Sequence, residues 1–473
     1  MMENFLIYVG GQFITTKSLL EVRNPFDNSL VATTYLAGKE ELEIAISKAE
    51  DVKKLMKELP SYKRYSILMQ ISAGLIKKRE HIAFILSSEA AKPMKYALGE
   101  VDRAIQTFIV AAEESKRLPS EHFSLDWTLA GNNKEAIVKY FPLGIVAGIS
   151  PFNFPLNLAV HKIAPAIASG NAIILKPARS TPLTVLELAK IIDETDLPKG
   201  AVSIIPMDRI AGNQLVTDSR IAKLSFTGSP EVGWQMKHDA GKKKITLELG
   251  GNSGVIITET ANIENAISKC VSGAFAYSGQ VCIHTQRIYV HEKIFDDFLV
   301  KFIEQTRKLK SGSPTDKDTD FTSMIDEENA IRVENWINEA IELGAILLHG
   351  GKRKGTYVEP TILTNTKHEM KVCSLEIFGP VVIIEKYNDF KSIIEIINNS
   401  EFGLQAGIFT DSIDEMNYGY ENIEAGGVII NDIPTFRVDH MPYGGIKNSG
   451  FGREGVKYAI LEMMEPKLLV KNK

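Results

Sequence analysis

The chain has 473 residues, more than one ordinary hydrophobic core accommodates and enough for two or three domains. Hydrophobic residues at 44% and charged residues at 24% are the proportions of a soluble globular protein, and a net charge of −5 argues against a nucleic-acid footprint or an anionic-membrane partner. Three cysteines, Cys270, Cys282 and Cys373, cannot form a disulfide framework, and no Cys/His cluster offers a metal site, so a reducing setting with a free thiol is expected.

The apolar run Phe5–Val9 is too short for a membrane span or a signal sequence, and Glu3 stands where a signal would carry basic residues; a cytoplasmic protein is expected. Residues 5 to 37 read as short strands broken by turns at Gly10-Gly11 and Asn24-Pro25-Phe26-Asp27-Asn28. From Lys39 the period becomes helical. Leu42, Ala45, Ile46 and Ala49 share one face, Tyr65, Leu68, Met69, Ile71 and Ser72 mark a second helix, and Ile82 to Ala91 and Val101 to Leu118 a third and fourth. Residues 119 to 139 carry Pro119, Trp127, Gly131, Asn132 and Asn133 without helical period, while Ala136 to Tyr140 alternates like a strand. This stretch is expected to leave the main body as a hairpin.

From Pro142 the pattern is strand, loop, helix, repeated. Gly144 to Ile149, Asn171 to Leu175, Val202 to Ile205 and Ile221 to Phe226 are near-continuous apolar runs, as strands buried on both faces of a parallel sheet require. Helices are predicted after Pro155, Thr181 and Pro230. The result is a doubly wound α/β pattern, in which ligands sit beyond the carboxyl ends of the strands, here the loops after Ile149, Leu175 and Phe226. No G-x-G-x-x-G is present. Gly228 and Gly233 flank a helix start whose N–H groups suit a phosphate, although a turn glycine and a packing glycine would look the same.

Glu248 lies between Leu247 and Leu249 before Gly250-Gly251. A carboxyl so flanked is expected to be desolvated, with a raised pKa suited to general-base work, unless it stands on a solvated strand face. A helix from Asn262 to Phe275 leads to Ser278-Gly279-Gln280-Val281-Cys282, where a small, turn-prone run presents a thiol. A free cysteine alone is as readily a packing residue as a nucleophile. Helices at 294 to 309 and 327 to 343, with strands at 288 to 290, 345 to 348, 381 to 384 and 428 to 430, imply a second α/β layer. Glu376-Ile377-Phe378-Gly379-Pro380 interrupts it with an acid and an aromatic.

Taken together, Pro151-Phe152-Asn153-Phe154-Pro155, Lys176-Pro177-Ala178, Phe226-Thr227-Gly228-Ser229, Leu247-Glu248-Leu249-Gly250-Gly251, Gly279-Gln280-Val281-Cys282, Glu376-Ile377-Phe378-Gly379-Pro380 and Pro442-Tyr443-Gly444-Gly445 occur in the order and spacing of the aldehyde dehydrogenase superfamily. The resemblance covers essentially the whole chain. Pro155-Leu156-Asn157, His161-Lys162-Ile163-Ala164-Pro165 and Arg437-Val438-Asp439-His440-Met441-Pro442 are most similar to the branch of lactaldehyde and non-phosphorylating glyceraldehyde or glyceraldehyde-3-phosphate dehydrogenases.

This resemblance implies an α/β fold in three parts: a Rossmann-like cofactor domain (1–118 and 141–247), an α/β catalytic domain (248–455), and a small β extension (119–140 and 456–473) that joins copies into a homodimer or homotetramer. It implies that the Cys282 thiolate attacks the aldehyde, that the Asn153 amide and the Cys282 N–H hold the oxyanion, and that Glu248 activates the water that releases the acid. It implies cofactor contacts from Ile149, Ser150, Pro151, Phe152, Lys176, Ala178, Arg179, Gly228, Ser229, Gly233, Leu249, Glu376 and Phe378. Where relatives that prefer NAD often carry an acid, this chain has Arg179, which favours the 2′-phosphate of NADP unless it points to solvent; NADP is expected, with NAD as the other choice. Arg103, His161, His284, Arg287 and Arg437 are expected to converge on a small hydroxylated or acidic aldehyde, although Arg103 and Arg287 would equally serve as partnered surface residues. A CoA-acylating semialdehyde dehydrogenase and a non-catalytic structural relative are the competing readings. Glu248 argues against the first, and retention of every expected site residue against the second.

Overall fold

Every residue of strand Ile145–Ile149 is apolar or small and buried, and in the computed structural model, which describes residues 4–472, it lies inside an eight-stranded sheet. Glu3 and Lys473, the last residue of the expected extension, lie outside the described residues. Strands Ala172–Lys176 and Lys223–Thr227 flank it in parallel, pairing Ile149 with Lys176 and with Phe226. Val202–Ile204 and Lys244–Glu248 extend the parallel core, and antiparallel Ile7–Val9, Gln12–Ile14 and Gly450–Phe451 close the edges. The loops after Ile149, Lys176, Thr227 and Glu248 therefore emerge at one end of the sheet.

Alternation along these strands feeds two cores. Val146, Ile173 and Leu175 face helices Ser61–Lys77, Met94–Ser115 and the wholly buried Pro155–Ser169, while Ile145, Ala147 and Ile174 face Lys39–Glu58 and Arg209–Thr217. The fourth predicted helix starts at Met94 rather than Val101, directly after Pro93, whose fixed φ suits a helix entry.

The second sheet has seven strands, in the order Ile346–His349, Thr361–Thr364, Val381–Tyr387, Thr285–His291, Ser253–Ile257, Gln405–Phe409 and Gly427–Ile430. A four-residue passage, Leu249 to Asn252, carries the chain into it from the last central strand of the first sheet. The expected hairpin is present as Ser120–Ser124 and Lys134–Pro142, and Met464–Asn472 adds a third strand, pairing Leu468 with Val138. Residues 456 to 462, assigned from sequence to this extension, instead form helix Val456–Glu462, which buries Val456 and Ile460 in the core of the first sheet. Among the described residues no helix is long and apolar enough to cross a membrane.

Candidate active site

Helix Ile263–Phe275 buries Cys270 and then breaks, and Tyr277, Ser278 and Gly279 all take left-handed backbone, with φ of 49°, 54° and 68°. Only Gly279 adopts this without cost, and a side chain there would run into the Gly379 carbonyl. The other two store roughly 1–3 kcal/mol each, which the surroundings must offset. The anchors are visible: Tyr277 Oη donates to the Ala90 carbonyl at 3.0 Å, Ser278 Oγ to the Thr322 carbonyl at 2.7 Å, and the Ile325 N–H donates to Gln280 Oε1 at 2.9 Å. This rigid turn presents Cys282, partly exposed, at its end. Burial pushes its thiol up to about 11, opposed by a contact with the Tyr443 hydroxyl at 3.3 Å. Cys373 and Cys270 are both buried, and burial raises both thiols.

Asn153 reaches this turn from the loop after Ile149. Its Nδ2 donates to the Gln280 carbonyl at 3.0 Å, and its Oδ1 accepts from the Phe154 N–H at 3.1 Å. Two residues missed in the sequence hold it there. Lys92, fully buried, donates to the Asn153 carbonyl and to Glu100, and sits 3.9 Å from the Phe154 ring centre and 4.4 Å from that of Tyr277. Glu100 Oε1 in turn accepts from the Leu156 and Asn157 N–H groups at the start of the next helix. Lys92 stands in the link between helices Arg79–Ala90 and Met94–Ser115, and Glu100 on the second of them, so that no shared periodicity ties the two in the sequence.

Glu248 is 3% exposed, and neither carboxylate oxygen has a hydrogen-bond partner among the described residues. Burial, reinforced by the charge of Glu454, raises its pKa well above the ordinary value. Gly444 leaves it room, since Oε1 lies 2.9 Å from where a Cβ would stand. Glu454 behaves oppositely. Although burial works against it, Lys162 at 2.9 Å and Arg437 at 3.2 Å hold it ionised below the usual range.

A second group of charges meets at Asp439, which accepts from Arg103 at 2.8 Å and lies 2.7 Å from His161 Nε2. Burial would raise Asp439, but these partners hold it far below the carboxylate range. Arg437 Nη2 lies 3.5 Å from His161 Nδ1, and Nε of both Arg103 and Arg437 is buried without a partner among the described residues. Arg103 also lines a cavity of about 230 Å³ with Tyr96, Phe154, Tyr277 and Val281, beside Asn153 and Cys282. Two expected members are elsewhere. Arg287, 2% exposed, donates to the Asn252 and Ile397 carbonyls and serves the backbone of the second sheet. His284 Nε2 lies 2.8 Å from the Ala274 carbonyl, and burial holds it near 4, neutral at physiological pH.

The expected nucleotide contacts gather at the carboxyl ends of the first sheet. Ser150 Oγ is buried without a partner among the described residues, beside Ile149, Pro151 and Phe152. Lys176 lies against Gly212, where a Cβ would come within 2.9 Å of its Cε, and its pKa is lowered by burial and then by the charge of Arg179, which is exposed next to Ala178. Gly228 and Gly233 admit Phe226 and Leu249, each too close for a side chain, and Ser229 precedes helix Pro230–Asp239 without using its hydroxyl as a cap. Glu376 accepts from the Gly251 N–H at 2.9 Å, is pushed up to about 7 by burial, and would have to shift for any side chain at Gly250. Phe378, itself left-handed at φ 44°, meets the Phe152 ring edge-on at 5.9 Å. An orphaned hydroxyl, a lysine cradled by glycine and an exposed arginine beside it fit a phosphorylated dinucleotide.

An anchored thiol, an amide reaching its loop and a desolvated carboxyl thus meet at the carboxyl ends of the first sheet as a candidate active site. The chain belongs to the aldehyde dehydrogenase family, whose model matches residues 13–469. It is 42% identical over 467 residues to the 3-sulfolactaldehyde dehydrogenase of Priestia aryabhattai, covering 98% of each chain. It is 43% identical over 471 residues to the lactaldehyde dehydrogenase of Methanococcus aeolicus, covering 98% of this chain and 100% of the relative. Among solved structures, aldehyde dehydrogenase 21 from Physcomitrella patens in complex with the product succinate superposes with a TM-score of 0.98 at 42% identity, covering 100% and 99% of the two chains. The glyceraldehyde-3-phosphate dehydrogenase of Methanocaldococcus jannaschii complexed with NADP gives a TM-score of 0.92 at 40% identity, covering 96% and 99%.

Proposed function

We propose that the protein oxidises a small hydroxylated or anionic aldehyde to its carboxylic acid, with NADP, or NAD in its place, as the oxidant. Cys282 attacks the aldehyde carbon as thiolate, forming the C–S bond while the carbonyl electron pair moves onto oxygen. The Asn153 amide and the Cys282 N–H hold that oxygen; each such donor contributes about 3–4 kcal/mol to the transition state. As the oxygen's electron pair re-forms the C=O bond, the C–H bond breaks and the hydride leaves that carbon, which becomes a thioester on Cys282; Ser150, Lys176, Arg179, Ser229, Glu376 and Phe378 would hold the dinucleotide whose ring would accept the hydride. Glu248 then takes a proton from water, which attacks the resulting thioester and frees the Cys282 thiolate. A partnerless, raised-pKa carboxyl is suited to this task and favours hydrolysis over transfer to CoA.

The observation that carries the reading is the convergence of Asn153 and Cys282 on the anchored 277–282 turn, with Glu248 facing it. Arg103 and Arg437, each with an unsatisfied Nε near His161 and Asp439, are assigned the polar end of the substrate. The names of the relatives support this: 3-sulfolactaldehyde and lactaldehyde are small hydroxyaldehydes, one of them anionic. We assign the first sheet to the cofactor domain, the second to the catalytic domain, and the three-stranded sheet, with Trp127, Leu129, Leu468 and Leu469 exposed, to homo-oligomer assembly in the cytoplasm. The test is absorbance at 340 nm with lactaldehyde and NADP. Cys282→Ala should abolish NADPH formation while leaving the fold and NADP affinity intact, and near-normal turnover in that variant would overturn the mechanism.

A further inference from the structure

The Tyr443 side chain is 3% exposed, and among the described residues its hydroxyl has one hydrogen-bond partner, Cys282 Sγ at 3.3 Å. The ring cannot drift away. Its backbone N–H and carbonyl are bonded to the Glu454 carbonyl and N–H, at 3.0 and 2.6 Å, and it packs with Val281, Ile283, Leu404 and Phe154 around the nucleophile. Arg437 lies over this ring, with its guanidinium carbon 3.7 Å from the ring centre. A cation on the ring face withdraws electron density from the phenol and makes its O–H a stronger donor. Arg437 is in turn fixed by Glu454 at 3.2 Å.

We propose that Tyr443 is a further catalytic residue: its hydroxyl, polarised by Arg437, donates to Cys282 Sγ and stabilises the thiolate that attacks the aldehyde. The need is physical. Cys282 is desolvated and faces the acids Glu376 and Glu248, all of which disfavour a negative sulfur, whereas Arg437 and the Tyr443 hydroxyl favour it. Of these two, only the hydroxyl touches the sulfur. A hydrogen bond to an ionised acceptor is about twice as strong as one between neutral groups, so the contact strengthens as the proton leaves. Phenylalanine at 443 would fill the same space and lack this donor. Arg437, placed at the substrate's polar end, thereby gains a second task as a positioning residue for the Tyr443 ring.

This inference rests on the reading of Cys282 as the nucleophile, and the experiment separates the two. Iodoacetamide inactivation of the wild-type protein and of Tyr443→Phe is followed from pH 6 to pH 12, with the alkylated peptide identified by mass. Alkylation should fall on Cys282 in both, with the midpoint of the rate profile higher in Tyr443→Phe and the rate at neutral pH lower by about tenfold, equivalent to one pKa unit. Circular dichroism and NADP affinity should be unchanged. Alkylation of Cys282 with the same midpoint in both proteins would overturn the role of Tyr443. Alkylation elsewhere, with Cys282 untouched, would instead overturn the nucleophile.

Discussion

Glu248→Gln separates the two halves of the proposed reaction. The carboxyl is 3% exposed, makes no hydrogen bond among the described residues, and has its pKa raised by burial and by the neighbouring charge of Glu454. Glutamine matches its shape but takes no proton from water. Losing a general base costs roughly a hundredfold to ten-thousandfold, and that loss should fall on thioester hydrolysis. In stopped-flow at 340 nm the variant should show a burst of NADPH at a near-normal rate, followed by a steady state slower by that factor. Stability should move the other way. A carboxyl whose pKa is raised by folding stabilises the protein fully below the unfolded-state pKa and loses that contribution as pH rises through the folded value. Glu248→Gln should therefore be as stable as wild type at low pH and more stable at pH 8. A variant that loses the burst and keeps its steady-state rate, or that is selectively destabilised at high pH, would refute the reasoning.

Arg179→Glu should lower kcat/KM for NADP by about tenfold and leave NAD little changed, the exposed side chain limiting the effect; an unchanged ratio would remove Arg179 from nucleotide selection. Arg103→Gln should raise KM for lactaldehyde and succinic semialdehyde more than for propanal, measured at saturating NADP; equal losses would assign Arg103 to Asp439 alone. Lys92→Met leaves the buried Glu100 without its cation, held only by the Leu156 and Asn157 N–H groups, and should cost about 3–5 kcal/mol by urea unfolding, with Lys92→Met/Glu100→Gln recovering part of it. A loss below 1 kcal/mol would mean that water reaches the pair.

Much of the site was legible because its residues lie in loops punctuated by Gly and Pro, at the ends of apolar strands whose pattern is local. Cys282 and Glu248 each follow from such a signal, whereas the role of Asn153 follows only from the family resemblance; Gly228 and Gly233 read as a helix start, and their close approach to Phe226 and Leu249 is visible only in the structure. What stayed hidden depends on tertiary approach. Tyr443 meets Cys282 across 161 residues, and Lys92 reaches the Asn153 carbonyl from the end of a helix whose apolar period says nothing of a buried cation. Arg287 reads like a recognition residue by its nearness in sequence to the nucleophile. The strand places it on the carbonyls of Asn252 and Ile397 instead, because strand direction and not sequence distance decides where its side chain goes. Residues 456 to 462 read as part of the β extension because the apolar face of helix Val456–Glu462 has partners only once helices Met94–Ser115 and Pro155–Ser169 are in place.

The central claim is that one thiol of the three forms the covalent intermediate. Glu248→Gln mixed with lactaldehyde and NADP, quenched in acid and digested, should carry the lactoyl mass on the peptide containing Cys282 and on no other. An acyl group on Cys270 or Cys373, or no acyl-enzyme while NADPH is formed at the normal rate, would contradict it.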